Sequence, residues 1–200
     1  MKLTLGLTAA LLICAATAHA QTPSVGVRVG LNVANLDFSD ETEITDAKTL
    51  TGLVAGLFVT VPVNNTVAFQ PEVLFSRQGT RFTEGSETAK IKLDYIQVPL
   101  LGRFKLGSGS PVSVLVGPSL GFRTRAKVDF PGAPIGLSDD FEDEVEKFDA
   151  GLVTGVAVEA GRLVLDGRYT WGLMNVAKDD EFGSGTAKNR VFSASVGFRF

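Results

Sequence analysis

From residue 25 to 35 the chain reads V-G-V-R-V-G-L-N-V-A-N, so Val25, Val27, Val29, Leu31 and Val33 face one way and Gly26, Arg28, Gly30, Asn32 and Ala34 the other. A strict period of two predicts a β-strand. The alternation returns in Leu53, Ala55, Leu57, Val59 and Val61, and again in Val67, Phe69, Val73 and Phe75 opposed by Gln70, Glu72 and Ser76. A fourth strand over 91–106 sets Ile96, Val98, Leu100, Phe104 and Leu106 against Gln97, Arg103 and Lys105, and a fifth over 111–126 carries Val112, Val114, Val116, Leu120 and Phe122. The sixth, 146–160, places Phe148, Ala150, Leu152, Val156 and Val158 opposite Asp149, Gly151, Gly155 and Glu159. A seventh sets Leu163, Leu165, Tyr169 and Trp171 against Asp166, Arg168 and Thr170. The last sets Phe192, Ala194, Val196, Phe198 and Phe200 against Ser193, Ser195, Gly197 and Arg199.

The connections alternate in length. Those at 36–50, 79–90, 127–145 and 175–188 are long, whereas 62–65, 107–110 and 161–162 are short. All long loops therefore leave one end. An even number of strands with this loop asymmetry predicts an all-β fold: an eight-stranded antiparallel up-and-down transmembrane β-barrel of the bacterial outer-membrane kind, with both termini periplasmic and the long loops extracellular. A soluble barrel would also show eight alternating strands, but with an apolar interior and charge outside. Here the charges share one face: Arg28, Glu72, Arg103, Lys105, Asp149, Glu159, Asp166 and Arg168 all lie opposite the Val, Leu, Ile and Phe positions. Mixed-sign charge can pair with itself inside a closed barrel while lipid meets the uncharged face. Leu74, Leu101, Leu115 and Val153 fall on the same inner face, implying a partly apolar, side-chain-plugged lumen. Pro71, Pro99 and Pro118 fall inside strands and each removes a ladder donor, for which bulges are the expected accommodation.

The residues before the first strand follow another pattern. Lys2 is followed by an apolar run to Thr17 and then by Ala18-His19-Ala20 ahead of Gln21. This is the form of a secretory signal peptide over 1–20, cut between Ala20 and Gln21, leaving one barrel domain over 21–200. A membrane anchor would need a longer apolar stretch. A lipoprotein signal at Cys14 would need small residues where Leu12-Ile13 stand. Cleavage removes Cys14 and His19, the only Cys and the only His of the 200 residues. Disulfides, thiol chemistry, Ser-His-Asp or Cys-His catalysis and His- or Cys-ligated metal sites are then excluded from the mature chain. An enzyme is not expected, and neither a cofactor nor a metal is called for. The net charge of −3 argues against nucleic acid as a partner.

Several groups of residues resemble the small outer-membrane β-barrel proteins of Bacteroidetes-type bacteria, often called PorT-like. They are Gly26-Val27-Arg28-Val29-Gly30-Leu31-Asn32, Phe69-Gln70-Pro71-Glu72-Val73-Leu74-Phe75 followed by Gly79, and Tyr95-Ile96-Gln97-Val98-Pro99-Leu100-Leu101. Gly117-Pro118, Gly151 with Gly155, and Arg168-Tyr169 leading to Gly172-Leu173 extend the likeness over nearly the whole mature chain. The resemblance implies an outer-membrane barrel and, for some relatives, a part in secretion.

An eight-stranded barrel has an interior just wide enough for side chains to fill, so the inner charges Arg28, Glu72, Arg103, Asp149, Asp166 and Arg168 read as a structural cluster rather than an ion path. Glu72 and Asp149 are expected to pair with Arg28, Arg103 or Arg168 rather than to act as a catalytic carboxylate pair. The final strand ends on Phe198 and Phe200 and looks like the terminal signal by which outer-membrane barrels are handed to the barrel-assembly machinery. Tyr95, Tyr169 and Trp171 are expected as membrane-interface anchors. Acidic residues crowd the first loop (Asp37, Asp40, Glu41, Glu43, Asp46) and the third (Asp129, Asp139, Asp140, Glu142, Asp143, Glu144, Glu146). This rim reads as a solvated surface that could meet divalent cations or a basic partner, although calcium-loop spacing is lacking. The expected partners are outer-membrane lipid, the assembly machinery and envelope or secretion proteins, with the barrel itself monomeric. The leading role is a structural or secretion-accessory one. A small porin-like channel for ions or narrow solutes, or a loop-mediated adhesin, is the alternative.

Overall fold

The computed structural model describes residues 22–38, 47–84, 87–129, 138–140, 147–174 and 187–200. Nine strands occupy them: β1 (Ser24–Phe38), β2 (Ala47–Pro62), β3 (Val67–Glu84), β4 (Glu87–Lys105), β5 (Val112–Asp129), β6 (Ser138–Asp140), β7 (Phe148–Ala160), β8 (Leu163–Gly172) and β9 (Ala187–Arg199). All but β6 are staves of one closed antiparallel barrel. Each stave pairs with its chain neighbour, and β1 closes the ring against β9 through a register running from Gly26↔Arg199 to Phe38↔Ala187. β6 pairs only with the far end of β5, Lys127 to Asp129, above the point where β7 begins.

Short connections gather both ends of the described chain at one mouth. In the β2–β3 turn, Asn64 Oδ1 accepts from the backbone N–H of Thr66 at 2.9 Å and of Val67 at 2.8 Å, the local side-chain bonding that makes Asn a turn former. The two-residue β7–β8 turn needs Gly161, whose φ of 63° lies in the left-handed region. Phe200 N–H donates to the Val25 carbonyl at 2.9 Å, tying the chain's end to β1.

The opposite end differs from expectation. The stretch 79–90, expected as a long loop, is a ladder: β3 and β4 pair from Val67↔Phe104 to Glu84↔Glu87, leaving only 85–86 between them. The sequence over 80–84 and 87–90 has few apolar residues and no period-two apolar pattern, so hydrophobic periodicity could not reveal this pairing. Gly79, where the expected loop begins, is held within the ladder opposite Lys92 at φ 141°.

The prolines also differ from expectation. Register is unbroken across Pro71 (paired with Leu100), Pro99 (with Ser119) and Pro118 (with Leu152), so each costs a ladder bond without adding a residue. The irregularities lie elsewhere. One falls between Thr49 and Val54 of β2; the other sets Arg123 and Arg125 of β5 opposite Tyr95 and Asp94, with Thr124 as the extra residue, its hydroxyl donating to the Asp94 carbonyl at 3.1 Å.

Inside and outside are inverted relative to a soluble domain. Val25, Val29, Leu31, Leu57, Val73, Phe122, Val156, Leu165, Phe192 and Val196 are exposed, whereas Arg28, Asn32, Gln70, Glu72, Arg103, Asp166, Arg168 and Asn189 are buried. An uncharged belt facing outward and a polar, filled interior is the arrangement that lipid demands of a barrel.

Candidate functional site

The lumen holds the chemistry of this chain, because period-two alternation sends every second residue of eight strands into one narrow space. Its centre is a four-residue ion cluster drawn from β1, β3 and β8. Glu72 receives Arg168 through two parallel bonds, Nη1 to Oε2 at 2.8 Å and Nη2 to Oε1 at 2.9 Å, and Arg28 Nη1 also donates to Oε2 at 2.9 Å. Asp166 takes Arg28 Nη2 at 2.6 Å and lies 2.9 Å from Arg168 Nε. Ser195 Oγ accepts from Arg28 Nη2. The four charged side chains are no more than 4 % exposed, and two positive charges face two negative ones. Bidentate guanidinium–carboxylate pairing supplies the geometry that lets such charges leave water.

From there a polar chain descends to the short-turn mouth. Gln70 Nε2 donates to Glu72 Oε1 at 2.7 Å while its Oε1 accepts from Arg103 Nη1 at 3.0 Å and from Thr60 at 3.2 Å. Arg103 Nη2 and Arg199 Nη1 each stand 2.8 Å from Glu159 Oε1. A cavity at this mouth is bordered by Arg103, Lys105, Glu159 and Arg199.

Apolar side chains fill the rest of the section. Phe58, Leu101, Leu115, Val153, Ala157 and Val164 form one buried cluster, and Leu93, Tyr95 and Ala126 a second nearer the long-loop end. Leu74 is buried too, so all four inner apolar residues expected from the sequence lie inside. Phe58, Val164 and Val54 were not foreseen there, although each has the parity of an inner neighbour: Phe58 that of Thr60, Val164 that of Asp166.

Tyr95 is a correction. It is 1 % exposed and lies within the lumen, not at the membrane interface. The alternation that sends Gln97 inward sends Tyr95 with it, and its aromatic character alone suggested otherwise. Tyr169 and Trp171 lie on the outward face of β8 in edge contact, with ring centroids 4.7 Å apart.

Asp149 is a second correction. It is buried as expected but pairs with none of Arg28, Arg103 or Arg168; its side-chain partner is Asn189, whose Nδ2 donates to Oδ2 at 2.8 Å. Strand alternation gave its face, but its position near the start of β7 sets it above the ion cluster. Phe198 and Phe200 stand exposed in edge contact at 5.6 Å. Ala20 and Gln21, and the acidic residues at 40–46, 142–144 and 146, lie outside the described residues. Among the described residues, no His, Cys, Asp or Glu side chains gather in threes as metal ligands would.

A closed eight-stave barrel, apolar outside and ion-paired within, defines the class of small bacterial outer-membrane barrels. Residues 19–178 match the family described as outer membrane protein beta-barrel domain, and the chain belongs to that family. In fold it is similar to Neisserial surface protein A (TM-score 0.55, 17% identity, 90% of this chain and 100% of that one). It is similar also to Ail, the attachment invasion locus protein of Yersinia pestis (TM-score 0.50, 18% identity, 90% and 100%). Among curated proteins, none matches in sequence. The chain is therefore an integral outer-membrane β-barrel protein.

Proposed function

We infer that this barrel is non-enzymatic and serves the envelope in a structural or secretion-accessory role, through its loops and turns rather than its lumen. One observation carries the reading: Glu72, Arg28, Arg168 and Asp166 occupy the middle of the bore as a charge-balanced cluster, with Leu101, Leu115 and Val153 packed among the inner residues around it. A bore filled in this way leaves the rim as the working surface. In this reading both termini are periplasmic, the long-loop end is extracellular, residues 1–20 are a cleaved signal peptide, and Phe198 and Phe200 address the monomeric chain to the barrel-assembly machinery. The PorT-like resemblance supports the secretion-accessory form, and residues 21–200 contain neither Cys nor His for the commoner forms of catalysis. One structure of Ail holds the heparin analogue sucrose octasulfate. The acidic residues of the first and third loops speak against so polyanionic a ligand here.

Deletion of the chain in its host tests the role. The accessory reading expects depletion of a set of surface or secreted proteins, restored by the full-length chain. An unchanged surface and secreted profile, with the deletion verified, would overturn it.

A further inference from the structure

On the outward face of β5 the uncharged positions run Val112, Val114, Val116, Pro118, Leu120 and Phe122. That run rises about 34 Å along the strand and, at a tilt of about 40°, about 25 Å along the barrel axis, the height of one apolar membrane band. Phe122 closes it in a row that crosses β3, β4, β5 and β7 in continuous register, Phe75–Ile96–Phe122–Phe148. Ile96, Phe122 and Phe148 are exposed, as a girdle at the edge of the hydrocarbon would be. The next two rows toward the long-loop end change character at once. Arg77, Asp94 and Arg125 stand in register in the first, and Gly79, Lys92 and Lys127 in the second. The β5 bulge produces this arrangement: with Thr124 as the extra residue, Arg125 stands outward and exposed while Ala126 is fully buried. Plain alternation from Phe122 would send Arg125 into the bore.

We propose that this patch on β3, β4 and β5 binds the phosphate groups of an anionic lipid in the surrounding leaflet. With the long-loop end extracellular, as read above, that leaflet is the outer one; the inference stands apart from the secretion-accessory role. Asp94 is the single carboxylate of the two rows and takes Arg77 through two bonds, Nε to Oδ1 at 2.7 Å and Nη2 to Oδ2 at 2.9 Å, so the rows carry an excess of positive charge. They lie about 7 Å apart along the strands, and the strands about 4.8 Å apart, which puts the basic positions within the span of one or two phosphate groups. Arg77 lies 5.9 Å from the centre of the Phe75 ring, which ties the basic rows to the aromatic girdle and fixes their height at the edge of the hydrocarbon. A lipid phosphate is the anion that occupies this depth. A soluble polyanion would first meet the acidic loops. The charge is also one-sided, since the row Val67–Phe104–Val114 at the other end of the same strands is apolar throughout.

The test uses the refolded chain 21–200 in mixed micelles that hold equal amounts of diphosphorylated lipid A and the same lipid stripped of phosphate. Native mass spectrometry counts the lipid kept by each barrel. The patch predicts that the phosphorylated form is kept about tenfold over the stripped one. That preference should fall severalfold in the double variant Lys92→Gln/Arg125→Gln and stay unchanged in Arg162→Gln, which removes a cation from the β7–β8 turn at the opposite mouth. Excess inorganic phosphate should leave the bound lipid in place. Equal retention of the two forms by the native barrel overturns the proposal, whether or not the double variant folds. So does a preference that survives in Lys92→Gln/Arg125→Gln or falls as far in Arg162→Gln. Complete displacement by inorganic phosphate would make the patch a general anion site and overturn its assignment to lipid.

Discussion

Glu72→Gln isolates the electrostatics of the bore from its volume. The native carboxylate accepts four hydrogen bonds, two from Arg168, one from Arg28 and one from Gln70, and its side chain is wholly buried. The amide keeps the shape, but it removes the charge and turns one acceptor into a donor that faces other donors. Two guanidinium groups then share Asp166 alone, and the balanced cluster gains one net positive charge in a space closed to bulk solvent. Removing one partner of a buried pair costs about 3–5 kcal/mol. Trp171, the only tryptophan, faces outward and reports insertion and unfolding by its fluorescence, so urea titration of the barrel refolded into lipid vesicles measures the loss. Adding Arg168→Met to Glu72→Gln returns the cluster to one positive and one negative charge, and the double-mutant cycle should show a coupling of about 1–3 kcal/mol. A loss below about 1 kcal/mol, the value of a solvated pair, would refute the claim that the cluster is buried and holds the staves together.

Other substitutions probe the lipid face, the close approach of strands and the chain's end. Leu165 is 52 % exposed on the belt, and Leu165→Arg should cost about 2–4 kcal/mol in the same vesicle titration if it sits near the bilayer midplane. A Cβ on Gly117 would lie 2.1 Å from the Leu100 carbonyl oxygen, so Gly117→Val should abolish the heat-modifiable folded band on a gel, whereas a folded variant would show that β4 and β5 can separate there. Phe200→Ala should lower the folded barrel recovered from cells yet leave refolded stability within about 1.5 kcal/mol, the worth of one aromatic edge contact. Equal recovery from cells would remove the assembly-signal role of Phe200.

Strand identity and facing were legible in the sequence because lipid enforces the period of two: the residues opposite Val25, Val27, Val29 and Leu31 are inside for the same reason that these are outside. Where the apolar alternation stops, so does the signal, and the ladder that pairs 80–84 with 87–91 reads as loop. Alternation also says which charges enter the bore but not which of them meet. Glu72 meets Arg28 and Arg168 across separations of 44 and 96 residues, and that encounter depends on the stagger of all eight staves. Asp149 has the same parity signal as Asp166, yet the stagger lifts it to Asn189. Tyr95 shows the converse failing, a residue type weighed above the parity that placed it.

Single-channel recording across a planar bilayer tests the filled bore most directly. The chain 21–200, shown to be folded by its mobility on an unboiled gel, should give no discrete conductance steps in potassium chloride, because the Glu72–Arg28–Arg168–Asp166 cluster spans the section that an ion would have to cross. Reproducible steps with a preference for one ion sign would contradict that account and make the same four residues the lining of a path.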